Sequence, residues 1–109
     1  MRGLAQTKTV RVPVWIRHSP MIVCKRVIYT GRVQGVGFRY TTQRVAQGFD
    51  VKGYVKNLPT GEVELVAEGK PEDVTSFLAA VAQRMAAYVE QARETELSAC
   101  GFRDFGIRH

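Results

Sequence analysis

The chain has 109 residues, enough for one hydrophobic core and too few for two. With 45% hydrophobic and 24% charged residues it has the composition of an ordinary globular domain, and no apolar run approaches the length of a membrane span. The formal charge of +6 is unevenly placed: residues 1–20 hold Arg2, Lys8, Arg11 and Arg17 without an acid, whereas residues 21–109 set twelve basic against ten acidic residues. A nucleic-acid backbone binder needs a basic face on the fold itself, so the distribution argues for a basic extension and against a nucleic-acid partner. The N-terminus lacks the continuous apolar stretch and small-residue cleavage site of a secretory signal. Cys24 and Cys100 lie far apart with no metal-ligand spacing, and each is expected to be a buried small hydrophobe. Nothing requires a disulfide, so a reducing cytoplasm is the expected compartment.

Residues 1–20 are expected to be an N-terminal extension to a domain over 21–109. Within it, Val10-Arg11-Val12-Pro13-Val14-Trp15-Ile16 alternates as a short edge strand would, with Pro13 tolerable only at an edge; the competing expectation is an undocked tail. Met21, directly before a strand-like run, is a candidate native start. Ile22 to Thr30 is rich in β-branched and aromatic residues and predicts a strand. A glycine-bearing segment, Gly31-Arg32-Val33-Gln34-Gly35-Val36-Gly37, follows. Phe38, Thr42, Val45, Ala46 and Phe49 then recur at spacings of three and four, the stripe of an amphipathic helix, with Gly48 suited to its C-terminal cap.

Val51–Asn57 and Glu62–Glu68 predict two more strands joined through Leu58-Pro59-Thr60-Gly61 as a hairpin. In the second of these, Val63, Leu65 and Ala67 face one way, and Glu62, Glu64, Val66 and Glu68 face the other, which is expected to be mostly wet. Pro71 with Glu72 and Asp73 announces a helix, because a first-turn proline loses no hydrogen bond and early carboxylates suit the positive helix end. Val74, Phe77, Leu78, Val81 and Met85 supply its buried stripe. Propensity would extend that helix through residues 86–97, but in the ferredoxin-like arrangement the chain after Met85 must turn back into the sheet, so 87–97 is assigned mainly to a strand. Phe102 to Arg108 predicts another strand. The order predicts an α+β domain of the ferredoxin-like βαββαβ type, an antiparallel sheet with two helices on one face.

The chemistry concentrates in the first loop. Peptide N–H groups at a helix N-terminus are unpaired and carry partial positive charge, and the glycines allow successive amides to converge on one anion. Arg39 follows at the helix start, where its planar fork suits two phosphate oxygens and where a cation is costly unless an anion is bound. Taken alone, this is equally a tight strand-to-helix turn with a solvated arginine, and Asn57 alone is equally a turn residue. Gln34 to Tyr40 superficially resembles a glycine-aromatic RNA-binding motif, but that motif sits on a central strand and this one precedes a helix.

Together, Gly31-Arg32-Val33-Gln34-Gly35-Val36-Gly37-Phe38-Arg39 and Gly53-Tyr54-Val55-Lys56-Asn57, followed by Gly61, Val63 and Gly69, resemble the two signatures of the acylphosphatase family. The similarity spans roughly residues 22–109 and departs from the family pattern at Tyr29, a strand position where an aliphatic residue is expected. The resemblance implies metal-independent hydrolysis of acyl phosphates without a cofactor, by a chain expected to work as a monomer on a small-molecule substrate. It matches Arg39 to the catalytic arginine and Asn57 to the water-orienting asparagine. The phosphate-cradling amides would come from Gln34, Gly35, Val36, Gly37 and Phe38. His18 and His109 are expected to be solvated bystanders. The alternatives are an RNA-recognition module and a binding domain that has lost turnover.

Overall fold

The computed structural model describes residues 21–109; the expected extension over 1–20, with its candidate edge strand, lies outside the described residues. The elements run β1 (Val23–Gly31), α1 (Phe38–Ala46), β2 (Val51–Asn57), β3 (Val63–Gly69), α2 (Pro71–Arg84), β4 (Val89–Leu97) and β5 (Phe105–Arg108). The sheet order is β4-β1-β3-β2-β5. This is the ferredoxin-like arrangement with a fifth strand added at one edge.

The helix-facing side of the sheet carries the core. Val27 and Tyr29 of β1, Val51 and Val55 of β2 and Val63, Leu65 and Ala67 of β3 are buried there with Phe38, Val74, Phe77, Val81 and Met85. Phe77 sits between the rings of Phe49 and Phe105, at centroid distances of 5.9 and 5.5 Å, tying α2 to the turn after α1 and to β5. Tyr29, the departure from the expected aliphatic residue, is buried with its ring 5.0 Å from that of Phe38. Burial pushes its phenol well above the usual value. Gly53 is fixed by a close approach: at φ 140° a Cβ there would lie 1.9 Å from the Val66 carbonyl oxygen of the neighbouring strand. No L side chain fits without moving β2 away from β3. Helix α1 ends without the left-handed glycine expected at Gly48; the N–H groups of Gly48 and Phe49 bond the carbonyls of Val45 and Ala46 instead.

Three expectations are corrected. The sheet is mixed: β1, β3, β4 and β2 pair antiparallel, but β5 runs parallel to β2. The reason is where the chain comes from. Strand β4 ends beside Cys24, at the end of the sheet where β2 begins, and residues 98–104 cross to the far edge there. A strand starting from that end must follow β2's direction. The acidic face of β3 is not wet either, since Glu64 and Glu68 are only 9% and 5% exposed. Glu64 accepts from Arg26 Nε at 2.6 Å and from the Tyr54 hydroxyl at 2.9 Å, and Glu68 accepts from the backbone N–H groups of Cys100, Gly101 and Phe102 in the crossing segment. Finally, Cys24 is buried as expected, but Cys100 is exposed on the crossing; both thiols are free. Burial, with Cys100 and Glu68 nearby, pushes the Cys24 thiol up to about 11.

Candidate active site

The site forms where β1 hands over to α1. Gly35 and Gly37 have φ of 79° and 78°, the left-handed region that a side chain resists. Gly37 is the N-cap of α1, and its carbonyl accepts from the N–H of Thr41 at 2.9 Å. No side chain caps this end and no acidic residue occupies the first turn. The first-turn N–H groups therefore lack helical partners, and Arg39 adds a full positive charge beside them. Helix α2 does the opposite, with Glu72 and Asp73 in its first turn. The inversion at α1 is destabilising in isolation and favours an arriving anion.

A cavity of about 280 Å³ opens on this helix end, lined among others by Gly35, Gly37, Phe38, Arg39 and Asn57. Five of the seven expected site residues thus share one wall system, although Arg39 and Asn57 come from different elements. Asn57 reaches it because it is the last residue of β2, on the helix-facing side with Val51 and Val55. Its Oδ1 is buried and makes no hydrogen bond among the described residues. Arg39 is held across the mouth, with Nη1 3.3 Å from the Arg108 carbonyl and 3.2 Å from Nδ1 of His109.

The other two expected residues do not line the cavity with their side chains. Val36 packs on the core. Gln34 turns away and donates from Nε2 to the carbonyls of Leu58 and Glu62, each at 2.8 Å, so its amide ties the glycine loop to the β2–β3 hairpin just beyond Asn57. Residues passed over in the sequence also line the cavity: Val33, Tyr40, Ile107 and His109. The alternation of β5 carried a signal for the last two, since residues 105, 107 and 109 share a face. A larger concavity of about 450 Å³, lined by Asp50, Lys52, Glu68 and Lys70, lies at the opposite end of the sheet and contains neither the glycine loop nor Arg39.

Fold and site together define an α+β domain with a small cavity at the uncapped N-terminus of its first helix, beside an arginine. The sequence matches the acylphosphatase domain family over residues 25–107. An acylphosphatase of Methanospirillum hungatei is 41% identical over 88 residues, covering 77% of this chain and 97% of that one. Another, from Acaryochloris marina, is 40% identical over 81% of this chain and 96% of its own. The crystal structure of an acylphosphatase from Bacillus subtilis, 38% identical, matches at a TM-score of 0.73 over 82% of this chain and 100% of the other. This chain belongs to the acylphosphatase family, and its activity is the hydrolysis of acyl phosphates.

Proposed function

We propose that Arg39 grips the phosphoryl group, that the amides from Gln34 to Phe38 cradle its oxygens, and that Asn57 places the attacking water. The observation that carries this reading is the meeting of the glycine loop, Arg39 and Asn57 around one small cavity, from segments separated in sequence. An acyl phosphate is already activated, because its leaving group is a carboxylate. The work left for the protein is position and charge. Water oxygen attacks phosphorus, the bond from phosphorus to the acyl oxygen breaks, the carboxylate departs with the electron pair, and the water proton passes to the phosphate product. Arg39 and the loop amides meet the charge on the equatorial oxygens as it shifts. Asn57 orients water through its amide.

We read the reaction as independent of a metal ion, since Arg39 and the helix end supply the cationic environment. Among the described residues, no three His, Cys, Asp or Glu side chains gather as a metal site. The accompanying proposal is a monomer working in the cytoplasm on a small-molecule substrate. The small size of the cavity suits such a substrate, and among the described residues no helix is long and apolar enough to cross a membrane. Sedimentation at micromolar concentration tests the monomer.

The decisive experiment is benzoyl phosphate hydrolysis, followed by ultraviolet absorbance in excess chelator. Wild type is expected to turn over undiminished, and Arg39→Gln to lose both substrate and phosphate binding. Full activity in folded Arg39→Gln would remove the anchor. Activity that disappears in chelator and returns with a divalent cation would remove the metal-free route.

A further inference from the structure

We propose that His109 is a proton-linked partner of Arg39, through which anion binding and proton uptake by the site are coupled. The inference rests on the reading of this cavity as the phosphate site. Strand β5 runs parallel to β2, so its far end arrives where β2 ends and α1 begins. Alternation then sets Ile107 and His109 on the helix-facing side, and both line the cavity. Nδ1 of His109 lies 3.2 Å from Nη1 of Arg39. Guanidinium nitrogens only donate, so this contact requires Nδ1 as an acceptor, a role open to neutral imidazole alone.

In the absence of an anion, Arg39 rests against the ring nitrogen, a contact that the imidazolium form could not make. A tetrahedral dianion entering the cavity reverses the sign of the local field. Arg39 turns to the anion, His109 takes up a proton, and its Nδ1–H becomes a donor toward the same oxygens. The described residues that face His109 come from three segments. Arg39 and Tyr40 come from α1, β2 contributes the neutral Asn57, and the loop contributes Val33 and glycines. Lys56 and Arg108 pair in register on the other face of the sheet, with Arg108 4.0 Å above the Tyr54 ring. Among the described residues, no Asp or Glu side chain lines the cavity. Histidine changes charge between about pH 5 and 8, so the coupling falls in an accessible range.

Sulfate tests this cleanly, because it stays a dianion over that whole range. Competitive inhibition of benzoyl phosphate hydrolysis by sulfate is measured from about pH 5.5 to 8 for wild type and for His109→Gln, which keeps a hydrogen-bonding side chain but does not titrate. Sulfate is expected to bind wild type about tenfold more tightly at the acid end, a coupling of ordinary size, and His109→Gln is expected to show a flat profile. Calorimetry of sulfate binding in buffers of different ionisation enthalpy reads the same step as proton uptake in wild type and none in the variant. Equal pH dependence in the two proteins, or no proton uptake, overturns the role of His109 while leaving the anion site intact. Arg39→Gln separates the two ideas by calorimetry, which needs no turnover: sulfate binding unchanged by that substitution removes the site itself, and this inference with it.

Discussion

Asn57 carries a buried acceptor oxygen with no hydrogen bond among the described residues, and an arrangement of that kind costs roughly 1–3 kcal/mol relative to a paired one. An asparagine kept at a strand end for structure would spend that oxygen on a nearby N–H. One kept for catalysis leaves it for the reaction. Asn57→Ala is therefore expected to melt at or above the wild-type temperature while kcat falls by ~10²–10³, the usual loss for one preorganised polar group. Inhibition by inorganic phosphate should persist within about twofold, because the interaction removed belongs to the transition state and not to the bound anion. Thermal melts, benzoyl phosphate kinetics and phosphate inhibition on the same preparation decide it. Wild-type kcat would end the water-placing role, and a large fall in melting temperature would show that the amide is structural.

At the scale of elements, the Gln34 side chain ties the loop to the hairpin by hydrogen bonds. Gln34 donates to Leu58 and Glu62 carbonyls that already accept from Gly61 and Leu58 N–H groups. Gln34→Leu therefore leaves those carbonyls partly satisfied, and the stability loss should stay near 1 kcal/mol. The loop, however, must then be ordered at the expense of substrate binding, so KM for benzoyl phosphate should rise about fivefold with a smaller change in kcat. A fall in kcat with KM unchanged would assign Gln34 to the chemistry instead. This tie could not be read from the sequence, because Gln34 and its partners lie 24 and 28 positions apart. The elements it joins could: the stripe of α1, the glycine run and the Leu58–Gly61 turn are local patterns. Strand β4 was harder. Seven of its nine residues are exposed, so Val89–Leu97 shows no alternation, and its Glu, Gln and Arg favour helix; only pairing with β1 makes it a strand. The burial of Glu64 and Glu68, likewise, depends on groups that arrive from distant segments.

For the whole molecule, one buried carboxylate organises the return of the chain. Glu68 lies on the central strand β3 and binds the N–H groups of Cys100, Gly101 and Phe102, fixing the crossing that gives β5 its direction and brings His109 to the site. His109 looked incidental in the sequence for this reason: its neighbourhood follows from the path of the crossing and not from any local pattern. Burial pushes the Glu68 carboxyl up, but the three N–H bonds, with Lys52 nearby, outweigh it and hold the value below the usual one. A carboxyl depressed in the folded state stabilises above its unfolded value and loses that contribution as the pH falls through the folded value. Wild type should therefore melt about 5 °C above Glu68→Gln near pH 7, and the gap should close as the pH is lowered below the usual carboxylate range. Melting curves of the two proteins across that range test it. A gap independent of pH would mean that the crossing is held by packing, such as the edge-on contact of Phe102 with Tyr54 at 5.9 Å, and not by the charge.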